Sequence, residues 1–243
     1  ISIIHIESTQ KASPIESEPE QKTANLPIDI DKGLLQKSLK EEGEPTRKDI
    51  ALEFWENNWW KMYPKKGGGK FIMQHHWRGL SEEEAKELSE KDLMQTDHSV
   101  HADLRFQTTD EMLWGFSVFE GDTEDLRKLP NFSKLIDKPK DIRGQPKLAM
   151  PSAWLKVGVS KPFISPPSKI GSTAKKWSKF FAIDKGTYEA GVWNRHFIEI
   201  FLNGKKLKGR YIIAAFPTKS GERVWYIEKP EDQKPYAETH KLE

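Results

Sequence analysis

The chain of 243 residues contains no cysteine. This absence excludes disulfide bonds, zinc sites built on thiolates and cysteine nucleophiles, so a metal site would have to use His, Asp or Glu side chains. The chain also lacks any apolar run near the roughly 20 residues that a membrane span needs, and it shows no signal-peptide pattern. We therefore expect a soluble protein that does not use a membrane as a partner. The lack of cysteine is compatible with any compartment; we expect a cytoplasmic protein or, if the chain is an assembly protein, a part of a viral particle.

Apolar residues are scarce and charged residues are abundant, at 36% and 31% of the chain. This balance predicts a modest core with long polar loops, although nine tryptophans and twelve phenylalanines supply large apolar groups. The net charge of +2 neither demands nor excludes a nucleic-acid partner. The length predicts one domain with appendages or two small domains, and a first residue other than Met is compatible with a piece of a longer protein.

The N-terminal quarter divides into two predicted segments. Residues 1–32 are rich in Ser, Pro, Glu and Lys, a composition that buries too little apolar surface to order itself, so we expect an extended arm or linker. Such an arm could also order on a protein partner by strand addition. Residues 33–66 have a helical period, in which Thr46 caps a helix and Trp55 and Trp59 belong to an apolar stripe. We expect this stripe to pack on the following sheet; the alternative is a platform on which nucleic-acid bases stack.

Polar residues of three chemical kinds alternate along the segment 100–107. On a strand, His101, Asp103 and Arg105 share one face and the apolar residues between them share the other. An imidazole and a carboxylate together suit a divalent cation such as Zn or Mn, and a guanidinium suits a phosphate. The alternative interpretation is a solvated strand face that carries an Asp–Arg ion pair.

A second strand is predicted over Lys70–His76, with Gln74 and His76 on one of its faces. Four of the seven histidines lie in these two strands or in the segment that joins them, at positions 75, 76, 98 and 101. Side chains from the two strands could therefore converge on a metal ion.

These two segments resemble a known family. Phe71–His76 (FIMQHH) and His101–Arg105 (HADLR) are similar to the FVVQ-x-H and H-x-D-x-R motifs of the 3′-phosphoesterase domain of bacterial and archaeal DNA ligase D. The likeness covers roughly residues 70 to 217 with gaps, and it includes the segments Leu113–Gly121, Gly186–Gly191 and Leu202–Tyr211. It implies a DNA-repair phosphoesterase fold, a metal site made of His76, His101 and Asp103, and a DNA or RNA 3′ end as substrate.

The sequence departs from the family at a later histidine, which lies in a segment that resembles EDHPLDYADFEG. The corresponding residues here are Ser160–Phe163, with Lys161 near the place of the histidine. A lysine with an ordinary pKa of about 10.4 can bind phosphate but is a poor proton shuttle at neutral pH. His196 could substitute from a neighbouring strand, or it could simply be packed.

Residues 78–97 form an insertion relative to the family pattern. Ser81 with Glu84, and Ser89 with Asp92, have the spacing of helix-capping boxes, so two short helices are predicted. The insertion could be a lid beside the site or a neutral surface elaboration.

The rest of the chain predicts a mainly β (α+β) fold: an antiparallel β-barrel or sandwich of the ligase D phosphoesterase type with peripheral helices, over residues 67–228. A helical turn is expected at Asp122–Leu129, a long loop at 130–153, a hairpin turn at Lys219–Glu222 and a polar tail at 229–243. Strands are predicted at Leu113–Phe119, Trp154–Val159, Phe180–Ile183, Phe197–Leu202, Leu207–Phe216 and Arg223–Glu228.

Two functions follow as hypotheses. In the first, a divalent Mn or Zn ion held by His76, His101 and Asp103 polarises a phosphate ester, Arg105 and Lys161 neutralise its charge, and water attacks phosphorus. In the second, the chain is a non-catalytic structural or assembly protein, for example a component of a viral particle, which binds partners through residues 1–32.

Overall fold

The computed structural model describes residues 53, 57–64, 66–109, 111–120, 142–158, 161–219 and 223–239. The predictions made for the arm at 1–32, for Thr46 and Trp55, and for the helical turn at Asp122–Leu129 lie outside these residues.

Nine strands account for most of the described chain: β1 (Gly68–Leu80), β2 (Ser99–Gln107), β3 (Met112–Glu120), β4 (Ile142–Pro151), β5 (Phe163–Ser165), β6 (Trp177–Asn194), β7 (Phe197–Asn203), β8 (Lys208–Pro217) and β9 (Arg223–Glu228). They form one antiparallel sheet in the order β1-β2-β3-β4-β9-β8-β7-β6-β5. Because β1 also pairs with β6, the sheet curls into a ring. The predicted mainly β, antiparallel fold is confirmed.

Four of the predicted strands, now β3, β7, β8 and β9, are confirmed to within one residue at each end. β8 and β9 pair as the predicted hairpin, with Pro217 opposite Arg223, although residues 220–222 of its turn are not among those described. β6 is much longer than predicted, because it pairs first with β1 and β5 and then continues, past register shifts, into its pairing with β7.

The strand predicted over Trp154–Val159 is wrong. A 3-10 helix occupies Ser152–Lys156 instead, and its buried residue Trp154 lies three positions before the buried Val157. That spacing corresponds to one turn of a 3-10 helix rather than to the two-residue period of a strand.

The long loop predicted at 130–153 is also corrected, because β4 begins at Ile142. Its inward positions include Gly144, whose missing side chain leaves room for the ring of Phe116, and Pro146. A proline is tolerated here because β4 pairs with β9 only at Arg143 and Gly144, so the missing N–H of Pro146 costs no ladder bond on that side. Because glycine and proline occupy these inward positions, the alternation of apolar and polar residues that predicts a strand is not visible in the sequence of β4.

Apolar side chains from strands around the whole ring meet in one cluster, which lies inside it. Phe71 and Met73 of β1, Leu104 of β2 and Tyr211 of β8 belong to this cluster. Trp59 joins it from the 3-10 helix Trp59–Lys61 and is 1% exposed, so its predicted burial is confirmed. Because side chains alternate along a strand, the other face of β1 and β2 lies outside the ring.

The insertion folds into the two predicted helices, Glu82–Glu87 and Glu90–Leu93, and both capping boxes are confirmed. Their buried residues pack with Trp77, Val100 and Phe181, which continue the inner face of the sheet. The insertion therefore packs at one end of the ring interior and not over the face that carries His76 and His101. Within the described residues, no helix has the length and apolar character needed to cross a membrane.

The hairpin between β7 and β8 is held by a buried carboxylate, Asp184 of β6. Its two oxygens accept hydrogen bonds from the backbone N–H groups of Lys205, Lys206 and Leu207, at 2.7–3.0 Å. A side chain on Gly204 would collide with this carboxylate, since an added Cβ would lie 2.2 Å from one of its oxygens. Asp184 thus fixes the conformation of the GKKL turn.

We expect Asp184→Asn to lower the free energy of unfolding by about 2 kcal/mol, because the amide would place N–H donors where N–H donors already point. Chemical denaturation measures the change. Asp97→Asn, in an exposed loop, is the control and should be nearly silent. Equal stabilities for the wild type and Asp184→Asn would contradict the assigned role.

Candidate metal centre

The register between β1 and β2 brings the candidate ligands together. His76 lies directly opposite His101, and Gln74 lies opposite Asp103. Directly opposed residues of an antiparallel pair project from the same face. Both strands therefore present their polar residues on the outer face of the ring, where the 3-10 helix Ser152–Lys156 covers them with Trp154.

Ligand atoms of His76, His101 and Asp103 all lie within 4.8 Å of one another. His76 Nδ1 is 3.2 Å from His101 Nε2, which is 3.4 Å from Asp103 Oδ1, and His76 Nδ1 is 3.8 Å from Asp103 Oδ2. Ligands about 2.0–2.1 Å from a tetrahedral ion lie roughly 3.3–3.4 Å apart, so the three side chains already have nearly the spacing of a coordination shell. This group could hold a metal ion.

The orientation of His76 is fixed by a hydrogen bond on the far side of its ring. Nε2 lies 2.7 Å from the carbonyl oxygen of Gly171, and a carbonyl only accepts, so Nε2 carries the proton. Nδ1 is then left with a lone pair that points at His101 and Asp103. A backbone carbonyl that accepts from the outer nitrogen is the usual support of a metal-binding histidine.

Aromatic rings and one glycine complete the support of His76. Its ring stacks on Phe180 at 4.2 Å between centroids and meets the edge of Trp154 at 6.3 Å. Gly171 has φ +89°, and a Cβ there would lie 2.6 Å from Phe180 and 2.8 Å from Trp154. Only glycine fits this position without displacing a ring, which explains how the carbonyl of Gly171 comes so close to His76.

The electrostatics of the group favour the protonation states that bind metals. Burial lowers the pKa of His76 well below its usual value, and the neighbouring His101 lowers it further. Burial also lowers the pKa of His101, although Asp103 opposes this effect. Burial alone would raise the pKa of Asp103, but Arg105 and His101 hold it well below its usual value. Two neutral imidazoles and one carboxylate are therefore available near neutral pH.

Arg105 and Ser117 hold the carboxylate of Asp103. The Ser117 hydroxyl donates to Oδ1 at 2.9 Å, and Nη2 of Arg105 lies 3.7 Å from Oδ2. Arg105 is only 1% exposed, and its Nη1 donates to the carbonyl oxygen of Leu148 at 2.8 Å. In this structure Arg105 contacts Asp103 and the backbone, so it supports a candidate ligand. Its predicted contact with a phosphate stays a prediction.

The structure does not bring all the predicted residues to the group. Lys161 is exposed, and the described hydrogen bonds and ion pairs include none between its ammonium and the three ligands; its carbonyl accepts from Gly158 N–H at 3.2 Å. His196 lies in the turn between β6 and β7. His98 pairs with Glu84 at 2.9 Å, and His75 contacts Glu90 on the other face of β1.

Several residues of the site were not predicted from the sequence to belong to it. Ser117 lies opposite Asp103 on β3, and alternation along the Leu113–Gly121 segment could have found it. Gln74 was noted on the same face as His76, and the structure shows it fully buried, with no hydrogen-bond partner for its amide within the described chain. Gly171 and Phe180 gave no signal, since their contacts depend on a loop and on strand pairing that sequence spacing does not reveal.

Comparison with known proteins adds no assignment. No protein-family model matches the sequence, and no curated protein matches it either.

Proposed function

We propose that this protein is a metal-dependent phosphoesterase that acts on nucleic-acid 3′ ends, with a β-barrel of the kind found in the phosphoesterase domain of DNA ligase D. The observation that carries the proposal is the buried group of His76, His101 and Asp103 with its coordination-like spacing. Three protein ligands leave further coordination positions for water and substrate, which is the pattern of catalytic metal sites rather than structural ones.

The ligand set favours Mn or Zn. Two imidazole nitrogens and a carboxylate oxygen suit both ions, whereas Mg and Ca prefer sites made of oxygen ligands. When bound, such an ion supplies positive charge to a phosphoryl oxygen and lowers the pKa of a coordinated water. The protein's own residues do the rest: Gly171 orients His76, and Ser117 and Arg105 orient Asp103.

Nucleic acid is the favoured substrate because of the segment beside the group. Residues 160–183 contain five lysines and no acidic residue. Four of these lysines are exposed, at positions 161, 169, 175 and 176. Phe163 is 41% exposed, and its ring lies 5.7 Å from Phe180, which stacks on His76. Lysines that bind backbone phosphates and an exposed aromatic ring that stacks on a base are the common elements of single-strand binding sites.

Catalysis is expected to be slow. Among the described residues, none beside His76, His101 and Asp103 is placed to donate a proton to the leaving group. Lys161 lies where the phosphoesterase family has a histidine. Loss of a general acid or base typically costs roughly 10²- to 10⁴-fold in rate. Charge stabilisation at phosphorus does not depend on that residue, so a residual rate should be measurable.

We expect a primer–template DNA with a 3′-phosphate, or with a 3′-terminal ribonucleotide, to be processed slowly when Mn²⁺ is present. Gel analysis of the primer measures the rate. Asp103→Asn should abolish the rate and Asp97→Asn should leave it unchanged. No turnover by a protein that demonstrably binds the metal would refute the phosphoesterase proposal and favour the assembly-protein alternative.

A further inference from the structure

Buried polar atoms without a hydrogen-bond partner in the described chain gather around the outer face of β1. They include both amide atoms of Gln74, Nε of Arg78, Nδ1 of His101 and Oγ of Ser178. Gln74 and Ser178 are 0% exposed. A buried polar group that lacks a partner costs free energy, so this face is a place where a bound ligand or ordered water would supply the missing partners.

Arg78 lies next to the metal-binding group on the same strand. It follows His76 by two residues, so the two side chains share a face. Its direct partner on the neighbouring strand β6 is Ser178. Arg78 is half-buried, and its charge is close enough to influence the pKa values of both histidines of the group. Nε of its guanidinium is buried without a hydrogen-bond partner among the described residues; burial lowers the pKa of Arg78, and the charge of Asp103 opposes that effect.

Arg105 offers a direct contrast on the neighbouring strand. Its guanidinium is bound by the carbonyl oxygen of Leu148 and lies beside the carboxylate of Asp103. Asp103 is therefore shared, because its charge acts on Arg78 as well as on Arg105, and two positive charges face one carboxylate. With a divalent cation in place, the local excess of positive charge would be about three, which favours an anion that carries two negative charges.

The pairing of β1 with β6 becomes irregular directly after Arg78. The register shifts between Arg78 and Leu80, and the intervening Gly79 has φ +85°. A bulge with a glycine in the left-handed region lets a strand bend and redirects the neighbouring side chain, and bulges of this kind are common beside functional sites.

We propose that Arg78 and Ser178 form an oxyanion site, which binds a phosphate group beside the metal ligands. The guanidinium donates from its planar fork and the serine hydroxyl donates one further hydrogen bond, so the buried Nε of Arg78 and the buried hydroxyl of Ser178 both obtain acceptors. The proposal rests on the proposed function only in naming phosphate as the anion. It assigns to Arg78, and not to Arg105 or Lys161, the main charge contact with the phosphoryl oxygens.

The test is the binding of inorganic phosphate to the metal-free protein, measured by calorimetry in a chelator. The wild type should bind, Arg78→Gln should weaken binding by about 10- to 100-fold, and Ser178→Ala should weaken it less. Arg78→Lys should be intermediate, because it keeps the charge and loses the fork. The control Arg195→Gln changes an exposed arginine in the β6–β7 turn and should bind like the wild type.

The outcomes separate this inference from the proposed function. No phosphate binding by the wild type, equal binding by the wild type and folded Arg78→Gln, or an equal loss in Arg195→Gln would overturn the oxyanion site, even if Mn²⁺-dependent turnover persists. Phosphate binding that depends on Arg78 supports it, even if no ester is hydrolysed. Circular dichroism of Arg78→Gln confirms folding, and Ser178→Ala and Arg78→Lys provide independent readings if that variant does not fold.

Discussion

Replacing His101 by alanine is expected to abolish the tight binding of Mn²⁺ or Zn²⁺. His101 Nε2 lies between the other two ligands, 3.2 Å from His76 Nδ1 and 3.4 Å from Asp103 Oδ1. Its removal leaves two protein ligands, too few for the usual three-ligand catalytic arrangement. In the wild type, an ion present at 100 times its dissociation constant should add about 2.7 kcal/mol to the free energy of unfolding, and His101→Ala should lose that increment.

Calorimetry with each ion and thermal unfolding with and without it measure the two effects. His196→Ala, in the turn between β6 and β7, is the matched control and should bind metal like the wild type. A wild type that binds neither ion, or a His101→Ala protein that binds as well as the wild type, would remove the basis of the metal centre.

Replacing Glu199 by alanine is expected to lower the free energy of unfolding by about 3–5 kcal/mol, because it leaves a buried charge without its partner. Glu199 is 1% exposed and accepts from Nε of Arg210 at 2.5 Å. Its carboxylate also accepts from the backbone N–H groups of Val192 and Tyr236. The change would therefore disturb β7, β8 and the C-terminal segment together.

Urea or guanidinium denaturation measures the loss, and a double-mutant cycle with Arg210→Met isolates the pair. The double variant should be more stable than Glu199→Ala, since it removes the unpaired charge. Glu189→Ala, an exposed carboxylate on β6, serves as the control and should stay within about 0.5 kcal/mol of the wild type. A loss for Glu199→Ala as small as this control would show that the pair contributes little.

Features that depend on neighbouring residues were predictable from the sequence, in the site and in the insertion. Alternation placed His101, Asp103 and Arg105 on one face, and spacing alone located the capping boxes at Ser81 and Ser89. Both predictions depend on residues a few positions apart, where backbone geometry fixes the relation between side chains.

The features that the sequence did not reveal depend on residues distant in the chain. The carbonyl of Gly171 meets His76 across 95 positions, and Asp184 caps a turn more than twenty residues later. The strand β4 was missed because Gly144 and Pro146 fill inward positions that usually carry large apolar side chains. Such contacts depend on the closure of the ring, which no local pattern encodes.

The polar tail predicted at 229–243 has an ordered part within the described residues. Gln233 accepts from the backbone N–H of Arg210, whose Nη1 donates to the carbonyl oxygen of Asp232. A short helix, Tyr236–Thr239, follows. The segment is polar as predicted, but it is held to the sheet by the same arginine that pairs with Glu199.

The pairing of β1 with β6 has a consequence for the order in which the protein matures during synthesis. β1 and β2 can meet as soon as residue 107 has emerged from the ribosome, so His76, His101 and Asp103 can become neighbours early. Gly171 and Phe180, which orient His76, emerge some seventy residues later. Long-range pairings of this kind form slowly, because a long loop must close first. A nascent chain would therefore hold His76, His101 and Asp103 side by side for some time before Gly171 and Phe180 fix the orientation of His76.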